Sequence, residues 1–305
     1  MDHQEAVAAF FTETPDGVRV PEPVAGAGAA RALRDALEPV AMHAVWSSRV
    51  GEALAAHGHD FFTAYVTGRG AALGDVPGAL VAATFAVFEP GFLAGAWDSG
   101  RALLPLHRLQ DLRDAETAAS MRQTLGAAET SDTAGAVETE VAATAAALER
   151  AVDAVDGTGR PLFAALRARP RLSDPFGRLW RAADLVREHR GDGHVAASVA
   201  AGLDPVRMGI LSELWVGYPL GEYSGTRAWP QEAADAAVRR LTDDGLVTGS
   251  GTGTTLTDAG RRFRDGIEDR TDDTQAGLLE SLGDDLRTVT EALARFSQRC
   301  VEAGA

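Results

Sequence analysis

Near the C-terminal end the chain reads Arg240-Leu241-Thr242-Asp243-Asp244-Gly245-Leu246-Val247, then Gly249-Ser250-Gly251-Thr252-Gly253, then Leu256-Thr257-Asp258-Ala259-Gly260-Arg261. Upstream, Trp229-Pro230 opens a segment whose apolar residues Ala233, Ala237, Val238 and Leu241 recur at helical spacing. Asp243-Asp244-Gly245 stops that helix. Leu246-Val247-Thr248 and Thr254-Thr255-Leu256 are short extended pieces flanking a glycine-rich tip. Thr257 is placed to cap the helix that follows. The order is helix, small hairpin, helix.

Working outward, Phe176–Arg190 is helical, with Leu179, Trp180, Ala183 and Val186 on one face. Gly191 reads as a terminator and Asp192 as the cap of a second helix, His194–Ala201. Asp204-Pro205 opens another, running to Tyr218. Beyond the hairpin, Leu279, Leu282, Leu286, Val289, Leu293, Phe296 and Cys300 alternate spacings of three and four. That is a heptad seam on one long helix over 275–301, suited to a homodimer or to packing within the chain.

The N-terminal half is rich in Ala and Leu and reads as helical. Residues 1–28 suggest a short helix and a Pro/Gly-rich tail. Ala29–Ala56 is a helix expected to kink or split at Pro39. Asp60–Thr67 forms a short helix. Asp75 is expected to cap a helix over 76–88 that is apolar nearly all round and therefore buried. Residues 126–137 are the expected mobile loop, and helices follow over 138–155 and 160–169. The expected division is a helical N-terminal region (1–170), a unit built around the hairpin (171–272) and a long C-terminal helix (273–305). The fold class is mainly α.

Composition narrows the function. The chain has 305 residues, 45% of them hydrophobic and 24% charged, which is ordinary globular usage. No apolar run approaches a membrane helix, and no basic leader precedes the first apolar stretch, so the cytoplasm is the expected compartment. A single cysteine, Cys300, leaves no intrachain disulfide and no cysteine-based zinc site. Every basic residue is Arg; Lys and Asn are absent, a bias expected of high-GC coding. The formal net charge of −15 opposes a polyanion unless one face is locally basic.

The Leu-Thr-Asp-Ala-Gly-Arg run and the helix–hairpin–helix order around it resemble MarR-like winged-helix proteins over about residues 176–272. The stretch Arg187-Glu188-His189-Arg190-Gly191-Asp192-Gly193-His194-Val195-Ala196 resembles an uncharacterised helix-turn-helix family of high-GC bacteria. Glu38-Pro39, His43-Ala44-Val45 and Arg160-Pro161-Leu162-Phe163-Ala164-Ala165 fit the same family. The resemblance implies a DNA-binding surface carried by Arg227, Arg239, Arg240 and Arg261, and a homodimer. Local charge disfavours that surface. Over 229–258 two arginines face five acids, and the hairpin tip carries no base.

Among chemistry-bearing groups, His43 shares a helix face with Pro39 and Trp46. Arg187, His189, Arg190 and His194 gather at a helix junction, where an anion is the natural ligand. His57-Gly58-His59-Asp60 has metal-like spacing but reads as a solvated turn, and no metal or cofactor is expected. No nucleophile elbow, phosphate loop or dinucleotide fingerprint is present, so whether any reaction is catalysed stays open. The expected function is binding, with or without transformation, of a small organic molecule between the N-terminal helices and the winged helix. The candidate ligand residues are His43, Trp46, Arg187, His189 and His194. The alternative is a ligand-responsive DNA-binding regulator.

Overall fold

The computed structural model describes residues 28–126 and 135–304. The expected N-terminal helix and most of the expected mobile loop lie outside them. Among the described residues the chain is mainly helical, with one two-stranded sheet. The N-terminal helices are α1 (Ala29–Trp46), α2 (Ser48–Ala55), α3 (Phe61–Gly70), α4 (Gly78–Phe85), α5 (Pro90–Leu103) and α6 (Leu106–Gly126). Then come α7 (Ala136–Ala154), α8 (Pro161–Arg167) and α9 (Pro175–Ala200). The C-terminal part holds α10 (Pro205–Val216), α11 (Gln231–Asp243), β1 (Val247–Thr248), β2 (Thr255–Leu256) and α12 (Asp258–Asp273). The chain ends in α13 (Ala276–Leu282) and α14 (Asp285–Glu302).

The helix α9 is the spine. Its first half, from Phe176 to Val186, packs on α1, α6 and α7 in the largest core. Its second half packs on α12, and Ala197 enters a second core with Met208, Ile210, Leu211, Leu241, Val247 and Ile267. The break expected at Gly191-Asp192 does not occur; α9 runs straight through. Tertiary contacts explain why. A Cβ at Gly193 would lie 2.6 Å from Thr274 Oγ1 and 2.8 Å from an Arg160 nitrogen, so a glycine is what lets these groups approach. Asp192, instead of capping a second helix at His194, sits inside α9 and accepts the Phe163 amide of α8 at 3.0 Å.

Other expectations shift similarly. Pro39 sits inside a continuous α1, and the chain breaks at Ser47, whose hydroxyl accepts the Val50 amide of α2. Asp75 caps nothing: α4 starts at Gly78 after Pro77, and Leu80 on it is half exposed. Residues 56–58 form an exposed turn as expected, but His59 beside it is buried, with Nε2 3.0 Å from the Gly100 carbonyl oxygen. The single long C-terminal helix is two, parted at Gly283 (φ 50°). Its heptad residues Leu282, Val289, Leu293, Phe296 and Cys300 are buried inside this chain with α1 and α7. Such a seam is already filled and offers no face to a partner helix.

The helix–hairpin–helix unit forms as its residues dictate. Asp174-Pro175 and Asp204-Pro205 start α9 and α10, each aspartate accepting two amides of the first turn. The helix α10 leaves α9 at 111°. β1 and β2 pair antiparallel, Val247 opposite Leu256 and Thr248 opposite Thr255. Thr257 locks the hairpin to α12: its hydroxyl donates to the Gly245 carbonyl at 2.7 Å and accepts the Gly260 amide at 3.0 Å. At Gly260 any Cβ would run into the Leu246 carbonyl, which is why the motif needs glycine there.

Candidate functional site

The helix α1 presents Ala30, Leu33, Arg34, Leu37 and Glu38 on one face, spaced i, i+3, i+4, i+7, i+8. On α9, Arg187, Arg190, Gly191 and His194 repeat that spacing. Both faces, with Arg69 of α3, Tyr223, Gln275 and Leu278–Leu279 of α13, enclose a pocket of about 280 Å³. It lies where the N-terminal helices meet the helix–hairpin–helix unit. Its walls are largely aliphatic, and half of its polar side chains are arginines.

An ion-pair web forms one side of the pocket. Arg69 donates to both Glu188 oxygens, from Nε and Nη2, at 2.7 Å each. Arg187 bridges Glu188 at 3.0 Å and Glu38 at 3.1 Å. Burial alone would raise both carboxyls, but the facing arginines outweigh it and hold Glu38 and Glu188 below the usual range. Burial likewise works against the Arg69 charge, and Glu188 more than compensates. On the opposite side, Arg190 Nη2 donates to Glu268 at 2.6 Å and Asp272 at 2.9 Å of α12, while its Nε–H is buried with no acceptor. Burial raises the Glu268 carboxyl, but Arg264 and Arg190 drive it down to about 2. Arg34 is half exposed; it forms an ion pair with its neighbour Asp35, and the Glu38 charge also acts on it.

Of the five expected ligand residues, Arg187 and His194 line this pocket. His189 lies behind it in the core, its Nδ1 2.9 Å from Gln275 Oε1 and its ring edge-on to Phe163 at 4.8 Å. His43 and Trp46 lie elsewhere. His43 is fully buried, with Nε2 2.9 Å from Ser120 Oγ, which in turn meets Ser47 Oγ at 2.8 Å. Burial pushes its pKa down to about 4. Trp46 stacks on Phe61 at 5.6 Å. The residues that sequence reading missed are Arg34, Glu38, Arg69 and Tyr223. The shared face of Arg34 and Glu38 on α1 was the available signal; Arg69 and Tyr223 had none, because only the fold brings them there.

The outer surface of the helix–hairpin–helix unit is different in character. Along α11, Glu232, Asp235, Arg239, Arg240 and Asp243 are exposed. Arg240 lies 3.8 Å from Asp204, and Arg261 is exposed on α12. Arg227, expected at a nucleic-acid face, is turned inward: its guanidinium lies 4.0 Å from the Tyr223 ring centre and 4.5 Å from that of Phe88. Between α10, residues 220–229, α11 and the hairpin tip runs a larger groove of about 610 Å³, walled by Val87, Val206, Ile210, Leu220, Trp229 and Val238. The segment 217–230 thus separates two hollows, with Tyr223 in the junction pocket and Leu220 and Trp229 in the groove. Glu213 pins it by accepting the amides of Glu222, Tyr223 and Ser224.

Among the described residues no group of three or more His, Cys, Asp or Glu side chains is placed to hold a metal ion. No single described helix is long and apolar enough to cross a membrane. No curated protein and no solved structure matches the chain. A model of a helix-turn-helix family matches residues 30–305, nearly the whole chain, and the chain belongs to that family.

Proposed function

We propose that this protein binds a small organic anion in the junction pocket, on a helix-turn-helix scaffold of the MarR-like winged type. The observation that carries this reading is the convergence of Arg34, Arg69, Arg187 and Arg190 with His194 on one cavity with aliphatic walls. Small-ligand sites combine apolar walls with a few placed polar groups, and guanidinium is suited to carboxylate and phosphate. The volume of about 280 Å³ suits a metabolite-sized ligand. In this reading the described part of residues 1–170 and the winged unit 171–272 form the two jaws, and residues 273–304 brace them.

The test is thermal-shift screening of small carboxylates and phosphates, followed by calorimetry. Arg34→Ala should weaken a hit by about tenfold, the worth of one charge-assisted hydrogen bond. Failure of the entire anion set to raise Tm overturns the reading.

A second reading is a ligand-responsive DNA-binding regulator. Membership in a helix-turn-helix family favours it, as does Tyr223, which connects the pocket wall to the segment leading into α11. The exposed acids of α11 weigh against high affinity. Fluorescence anisotropy on fragments of the source genome, with and without a pocket ligand, separates the two. Site-specific nanomolar binding that the ligand alters puts the regulator first.

A further inference from the structure

His194 has a protonation pattern that its neighbours dictate. Its Nδ1 lies 3.1 Å from Thr271 Oγ1. The Thr271 hydroxyl has one hydrogen, and it is given to the Ile267 carbonyl one turn back in α12, at 2.7 Å. Toward His194 that oxygen can only accept, so the ring proton sits on Nδ1. Nε2 is then a bare lone pair on a ring that lines the junction pocket. Glu268 Oε1, 3.7 Å from Nδ1, favours the same tautomer. The ring is uncharged at neutral pH: burial, then the nearby Arg264, hold its pKa down at about 4 against the opposing pull of Glu268.

Four of the other lining side chains are arginines, and the Tyr223 hydroxyl can both donate and accept. The guanidinium groups of Arg34, Arg69, Arg187 and Arg190 carry no acceptor. The Glu38 carboxylate is engaged by Arg187, and Gln275 Oε1 by His189. A simple carboxylate would satisfy arginine and offer no hydrogen to Nε2. On the reading that the pocket binds a small anion, we infer that its ligand is a small hydroxy acid. Its carboxylate meets Arg34 at the open side, and its hydroxyl donates to His194 Nε2. His194 is a specificity residue for the hydroxyl, and the acid group is read independently of it.

The test uses the full chain and four probes of one shape: mandelate, its O-methyl ether, phenylacetate and mandelamide. Calorimetry should give mandelate about tenfold tighter than the ether and phenylacetate, since neither of these has a hydrogen to give to Nε2. His194→Phe should bring mandelate within about twofold of phenylacetate. Equal binding of mandelate, the ether and phenylacetate to the unmodified protein overturns the hydroxyl assignment while keeping the anion pocket. So does a preference that survives His194→Phe. Binding of mandelamide as tight as mandelate, or of no probe at millimolar concentration, overturns the anion pocket itself. Long-range ¹⁵N–¹H NMR gives a check free of any ligand. His194 should appear as the Nδ1–H tautomer at neutral pH, and an Nε2–H tautomer overturns the inference.

Discussion

Arg69 grips Glu188 through two parallel hydrogen bonds of 2.7 Å, joining α3 to α9 across more than a hundred residues of chain. The Glu188 side chain is 3% exposed and that of Arg69 19%. A fork-to-fork contact of this kind fixes orientation as well as distance. It sets the floor of the junction pocket before any ligand arrives.

Glu188→Gln keeps the shape and removes the charge, leaving Arg69 and Arg187 to face each other. Breaking a buried pair by changing one partner costs about 3–5 kcal/mol. Urea denaturation should show that loss. Arg69→Met with Glu188→Leu should recover much of it, because the uncompensated charge is then gone. A double variant no more stable than the single one would mean that the web contributes through other partners.

Two glycines two residues apart on α9 should respond with opposite sign. Gly191 has open space around a new Cβ, its nearest neighbour being Glu188 Oε2 at 3.8 Å. Gly191→Ala should therefore stabilise α9 by about 0.5–1 kcal/mol through helix propensity. Gly193→Ala gains the same propensity but drives a methyl group into Thr274 and Arg160. It should destabilise by about 1–3 kcal/mol. Thermal denaturation of the two variants, side by side, checks the sign.

Leu293 is fully buried in the shared core of α1, α7 and α14. Leu293→Ala should cost about 2–5 kcal/mol. Because the seam is intrachain, the unfolding midpoint should not depend on protein concentration. A concentration-dependent midpoint would restore the dimer seam that the heptad spacing suggests.

Stability should fall as pH drops from about 6.5 through about 4. His43 and His194 are both held at about 4, below the ordinary histidine value of 6.5. A folded pKa below the unfolded one means the unfolded chain binds protons first. Their contribution is complete above 6.5 and is lost as pH falls through 4. Glu268, at about 2, extends the loss to lower pH. Asp192 opposes them: burial raises it to about 6, so its contribution is complete below its ordinary value and disappears as pH rises through 6. His43→Gln should flatten the acid limb of a Tm-against-pH curve, and Asp192→Asn should steepen the net rise in stability with pH between about 4 and 6.

Elements whose causes are local were legible in the sequence. Asp204-Pro205 caps α10 because an aspartate before a proline satisfies first-turn amides with no help from elsewhere. Thr257 and Gly260 tie the hairpin to α12 within a dozen residues. The two short strands around the glycine-rich tip were legible in the same stretch, and the structure supplies their register. What long-range packing decides was not legible. Gly191-Asp192-Gly193 carries every local mark of a helix end, yet α9 continues, because α8 and the start of α13 need those side chains and that missing Cβ. The heptad of α13 and α14 has the spacing of a dimer, and only its docking on α1 and α7 shows where it is buried. Arg187 and His194 were recognisable as neighbours at a junction of two expected helices, and the structure carries both on one continuous α9. Arg34 and Arg69 join them only when α1 and α3 fold over α9, since a pocket belongs to several segments at once and no single stretch encodes it.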